Sequence, residues 1–207
     1  MEVSIEGTSS DSEIEKSNHL ILIRKRSYRI ALLSTFSALA VVLGYMLAYL
    51  PNIELFTLMI FLSGFILGKR EGLIVGLLSA SIFTFFNPLG ASPPPLFIYQ
   101  LFHYSLTGLS GGLTKDFLSE KEYFHPREDL YIFRVMVIFG IAAAILTFTY
   151  DILSTAIGGF LVSISVEYFI TTYMTGIIFT IVHFIGNILG FVFLLPGLIQ
   201  LIIKLLD

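Results

Sequence analysis

Residues 53–87 read IELFTLMIFLSGFILGKREGLIVGLLSASIFTFFN. Two apolar runs, 53–68 and 72–87, flank a turn, Gly68-Lys69-Arg70-Glu71-Gly72, that holds every basic residue of the stretch. Phe61 to Leu67 does not alternate apolar with polar positions, so a barrel strand is ruled out. Runs of this kind are helices in lipid, because hydrocarbon offers the backbone no water to bond and a helix satisfies its own polar groups. Sixteen helical residues cover about 24 Å, less than a hydrocarbon core of roughly 30 Å. A hairpin this short can leave a depression open to water at the end away from its basic turn.

Four more apolar runs lie outward from this hairpin, at 30–50, 96–113, 131–150 and 171–195. All 12 basic residues fall in alternate connections. Lys16, Arg24, Lys25, Arg26 and Arg29 precede the first run, and Lys69 and Arg70 sit in the hairpin turn. Lys115, Lys121, Arg127 and Arg134 lie between the fourth and fifth runs, and Lys204 follows the last. The connections near 51–52, 88–95 and 151–170 hold none. Short loops rich in Lys and Arg stay in the cytoplasm. The expected fold class is therefore an all-α integral membrane protein of six transmembrane helices, multi-pass in the cell membrane, with both termini cytoplasmic.

Composition agrees. The chain has 207 residues, 56% hydrophobic and only 13% charged, and its mean hydropathy is +0.88. A soluble domain carries about twice that charge. The net charge of −3 comes largely from Glu2, Glu6, Asp11, Glu13 and Glu15. Residues 1–27 read as a polar cytoplasmic tail without a cleavable signal pattern, and 28–207 as one six-helix membrane domain. With no cysteine, disulfides, thiol nucleophiles and cysteine-bound metals are excluded. Nothing suggests nucleic-acid binding.

The connections carry their own signals. HLILIRKRSYR, 19–29, places a basic cluster at the inner surface before the first span, and Pro51 is the expected stop of that span. NPLGASPPP, 87–95, reads as a stiff outer loop, and 114–130 as the main cytoplasmic loop. Residues 151–170 are apolar but broken at Gly158-Gly159. A seventh span there would put Lys204 outside, so a long, partly helical outer connection is expected instead.

Polar groups within spans are costly and concentrate where they are used. Gln100, His103 and Thr107 fall at i, i+3, i+7 on one face of the fourth span. His183 and Asn187 are four apart in the last span, and Thr147 and Asp151 are four apart in the fifth, with Tyr150 beside them. Asn52, Glu54 and Asn87 add polar groups at the outer rims of the second and third spans. Two readings stand. These groups join helices by hydrogen bonds, as His and Asn often do, or they line a shared polar pocket that opens outward. Asn52, Glu54, Asn87, Gln100, His103, Tyr150, Asp151, His183 and Asn187 are the candidate ligand contacts. An enzyme is not expected: there is no HExxH, no GxSxG and no second carboxylate near either His, and neither a metal nor a cofactor is implied. In the first span Ala31, Ser34, Thr35 and Ala38 make one flank small, a spacing that permits close approach of a helix from the same chain or from a partner.

YLPNIELFTLMIFLSGFILGKREGLIVGLLSASIFTFFNPLGASPPP, followed by TYDILSTAIGG and FTIVHFIGNILGF, resembles the substrate-binding S component of energy-coupling factor (ECF) vitamin transporters. The resemblance covers most of 28–197. It implies a subunit that captures a vitamin-like small molecule from outside and delivers it with a membrane T component and two cytoplasmic ATPases. It also implies a site built toward the outer side from the fourth to sixth spans and the loops near the first three. The family's small-residue docking motif, usually AxxxA, is imperfect here. Ser34 and Ala38 match it best, with Ala31 and Thr35 as the alternative. There is no Walker loop, so ATP falls to partners. Outside the resemblance, a stand-alone transporter or a membrane scaffold is the other class to consider.

The charge pattern bears on the ligand. The outer half has no Lys or Arg, so a multiply anionic ligand lacks cationic partners. Phe83, Phe85, Phe86, Phe97, Tyr99, Phe102, Tyr104 and Tyr150 crowd the outer ends, and some of them are suited to stacking on a ring. Neutral or cationic ring compounds, or a corrinoid, fit better than folate-like or pyrophosphate ligands.

Overall fold

The computed structural model describes residues 26–50 and 52–206. The tail before residue 26 and Pro51, the expected stop of the first helix, lie outside the described residues. The described residues form α1 (Arg26–Leu47), α2 (Phe56–Leu67), α3 (Lys69–Phe85), α4 (Pro94–Ser119), α5 (Phe133–Phe160), α6 (Val166–Thr175) and α7 (Ile177–Leu189). A π-helical turn (Gly190–Leu194) and α8 (Leu195–Leu206) follow. No strand is present among them. Ser27–Leu47, Phe133–Phe160 and Ile177–Leu206 are long and apolar enough to cross a membrane, and Phe56–Leu67 is apolar but shorter.

α2 is the centre of the molecule. It is apolar on every side, and such a helix belongs in a core. Ten of its residues, Phe56 through Phe65, are buried. Phe61 meets Phe191 at 5.0 Å between ring centres, and Phe65 meets Phe139 edge-on at 5.7 Å. The other helices turn Leu39, Val42, Phe102, Ile145, Ile178 and Leu201 outward. An exterior this apolar suits lipid rather than water.

α2, α3 and α4 touch backbone to backbone through glycine. A Cβ at Gly64 or Gly72 would overlap the carbonyl oxygen of Gly108, and one at Gly76 the carbonyl oxygen of Tyr104. A Cβ at Gly111 would overlap the carbonyl oxygen of Phe61. Small residues that bring helices this close are how membrane helices gain contact without a hydrophobic driving force between them.

Several boundaries differ from the sequence reading. Only Gly68 separates α2 from α3. Its φ of 109° turns the chain in one residue, and Lys69 already opens α3. Pro94 and Pro95 do not extend the loop but begin α4, where a missing N–H goes unnoticed and φ is preset. α4 then continues to Ser119, into the stretch expected to be loop. α5 runs through Gly158-Gly159 to Phe160, so the break falls at 161–165 instead. Ser165 starts α6, its hydroxyl accepting from the Tyr168 N–H. The run expected at 171–195 is divided at Gly176 and extends past its expected end to Leu206.

The molecule has two chemically distinct ends. At one, Arg29 pairs with Glu71, Lys69 with Asp116 at 2.8 Å, and Lys115 donates to the Ile66 carbonyl at 3.2 Å. At the other, where α1 and α3 finish and α2, α4 and α7 begin, the polar site residues gather. Arg29 and Leu47 are 18 residues apart on α1, about 27 Å.

Candidate ligand-binding cavity

Glu54 lies in the connection just before α2. Its carboxylate accepts the Thr57 N–H at 3.2 Å and the Thr57 hydroxyl. An anion in the first turn of a helix is favoured by the unpaired amides there. This fixes Glu54 at the end of the buried helix, where α5 and α7 reach it.

His183 and Asn187, one turn apart on α7, both face it. His183 Nε2 is 3.3 Å from Glu54 Oε1, and its Nδ1 is 2.8 Å from Asp151 Oδ1 on α5. Two such bonds at once need either the protonated ring, donating from both nitrogens, or a neutral ring that donates to one carboxylate and accepts from the other as a carboxylic acid. Asn187 donates to Glu54 Oε1 at 3.2 Å and to the Thr147 hydroxyl at 2.9 Å. Thr147, Asp151, His183 and Asn187 are all buried. One network thus joins α2, α5 and α7 through charged and amide groups with little exposure to solvent.

Tyr150 carries the network to α4. Gln100 donates to its hydroxyl at 3.1 Å. Its ring lies 5.1 Å from His103, 5.6 Å from Tyr104, 6.2 Å from Tyr99 and 6.1 Å from His183. Tyr104 in turn meets Phe56 edge-on at 4.8 Å, and Phe56 stacks on Phe83 at 4.5 Å. Within this network, Asp151 Oδ2 and Gln100 Oε1 are buried and have no hydrogen-bond partner among the described residues.

Above this network lies a cavity of about 550 Å³, a size typical of small-molecule sites. Of the nine candidate contacts, Asn52, Glu54, Asn87, Tyr150, Asp151 and His183 line it. Asn52, in the left-handed region at φ 57°, ties the rim to α7 by donating to the Phe179 carbonyl at 2.8 Å. The Asn87 side-chain Oδ1 accepts the Leu89 N–H at 2.9 Å and shapes the rim from the α3 side. Gln100, His103 and Asn187 are not in the wall; they support residues that are. His103 lines a separate, smaller groove of about 350 Å³ between α4 and α5.

The wall also holds Thr172, Tyr173 and Thr180, which were not among the candidates. Thr180 was accessible from spacing, since 180, 183 and 187 fall at i, i+3, i+7 on one face of α7. Thr172 and Tyr173 carried no such signal, because α6 is a short helix hidden within an apolar run. Among the described residues, no Lys or Arg lines the cavity. Ala31, Ser34, Thr35 and Ala38 lie far from it and are all exposed on α1. No protein-family model, curated protein or solved structure matches the chain.

Proposed function

We propose that the chain is the substrate-capture subunit of an ECF-type transporter. It binds a vitamin-like small molecule from outside and passes it inward with a membrane T component and two cytoplasmic ATPases. The observation that carries this reading is the cavity. Four helices and two connections contribute polar groups to one concave site, and it stands at the end of the molecule away from Arg29, Lys69 and Lys115. With the basic end in the cytoplasm, as short loops rich in Lys and Arg require, the cavity opens outward. The six-span topology follows if α1, α2, α3, α4, α5 and the α7–α8 unit each cross once. α2, at 12 residues or about 18 Å, is too short to fill the bilayer alone, and the cavity occupies the remaining depth above Glu54. The small flank of α1 supports docking on a T component, since Ala31, Ser34, Thr35 and Ala38 are exposed among the described residues.

Mass spectrometry of small molecules extracted from gently purified protein tests the reading. A vitamin-like compound at about one per chain is expected from cells supplied with a vitamin mixture. An empty protein under those conditions would speak for the network as helix-joining hydrogen bonds alone.

A further inference from the structure

The electrostatics of the cavity select among ligands, provided that the cavity is a solute site as proposed above. Its titratable wall residues include two carboxylates, Glu54 and Asp151, and one imidazole, His183, with no Lys or Arg. With His183 protonated the trio carries one net negative charge; with it neutral, two. Charge of that kind away from water is stable only when paired. Asp151 supplies a second, independent observation. Its side chain is 10% exposed, Oδ1 is held by His183, and Oδ2 is buried without a partner. A buried carboxylate oxygen lacking a donor calls for one. The trio is not arranged as a metal cage, because both His183 nitrogens already face carboxylate oxygens. Beside Asp151, Tyr150 and Tyr104 line the cavity, and aromatic rings attract cations as well as flat apolar groups.

We propose that the cavity takes an organic monocation: a flat, ringed molecule with an N–H donor, its charge beside Asp151 and its ring against Tyr150. The charge supplies what the carboxylates lack. Anionic ligands are rejected because binding them would bury like charges together.

Ligand-observed NMR titration of the purified full chain in detergent tests this with three probes of similar size. These are 4-aminopyridine, a cation at neutral pH; aniline, which is neutral; and benzoate, an anion. The cation is expected to bind at least about tenfold tighter than aniline, the scale of one charge-assisted hydrogen bond, and benzoate not to bind. Asp151→Asn keeps the shape and still accepts from His183, and it is expected to bring the cation-to-neutral ratio close to one. The ratio is read on a single sample, so partial misfolding lowers both affinities and leaves it intact. Tyr150→Leu is expected to weaken both ring probes together. Equal or tighter binding of aniline or benzoate, or a cation preference that survives Asp151→Asn, would overturn the charge class while leaving solute capture standing. No binding by any probe would overturn both.

Discussion

His183 is the residue on which the buried charges balance. Its two ring nitrogens face Asp151 and Glu54, so its loss leaves two carboxylates close together with no counter-charge. His183→Leu is expected to destabilise the protein by roughly 3–5 kcal/mol, as breaking a buried pair does. Asn187→Leu removes neutral donors to Glu54 and Thr147 and is expected to cost less, about 1–3 kcal/mol. Denaturant unfolding in detergent ranks the two, and Asn187→Leu proving the more damaging would refute this charge balance. At this scale much was legible in advance. His183–Asn187, Thr147–Asp151 and Gln100–His103–Thr107 each repeat at helical spacing within apolar runs, and all seven side chains are buried. Pairing was not legible. Spacing shows that Gln100 and His103 share a face, but not that Tyr150 stands between them and the cavity wall. That depends on how α4 crosses α5, which no local pattern encodes.

Glycine decides how the elements meet. A Cβ at Gly108 would overlap the backbone carbonyl of Gly72, so Gly108→Ala must push α4 off α3. Little monodisperse protein is expected on size-exclusion chromatography of that variant. Gly186, on the exposed face of α7, has nothing within 4 Å of an added Cβ. Gly186→Ala is therefore expected to be neutral or to stabilise by about 0.5–1 kcal/mol through helix propensity alone. Equal tolerance at both positions would show that the close approach does not hold the bundle. The spacings Gly72-xxx-Gly76 and Gly108-xxx-Gly112 are a sequence signal for this packing, as small-residue spacing is in the first span. Element boundaries were harder, for a physical reason. In an apolar chain glycine and proline do not always interrupt. Pro94 opens a helix, Gly158 sits inside one, and Gly68 alone ends one, according to the backbone angles that the neighbours allow. The division at Gly176 lies within a run whose hydrophobicity barely changes, so nothing in composition marks it.

At the scale of the whole molecule, function depends on which end faces out. The capture proposed above requires the cavity to open outward, whatever its chemistry. The helix order makes a joint commitment, because residues 88–93 and 161–165 must share one side, and 120–132 the other, if each of α4 and α5 crosses once. The lack of cysteine makes this measurable without background, since every introduced thiol is the only one in the chain. Ala91 and Val162 are exposed in the first two connections; Ser119, the last residue of α4, and Glu122, in the third, are exposed as well. Ala91→Cys and Val162→Cys are expected to react with a membrane-impermeant maleimide in intact cells. Ser119→Cys and Glu122→Cys are expected to react only after permeabilisation. The reversed pattern would turn the cavity inward and remove the basis for outside capture. Ala91 and Val162 reacting from opposite sides would break the six-span topology itself. The expected pattern leaves one arrangement: Arg29, Lys69 and Lys115 in the cytoplasm, and Glu54 and Asp151 within reach of the outside.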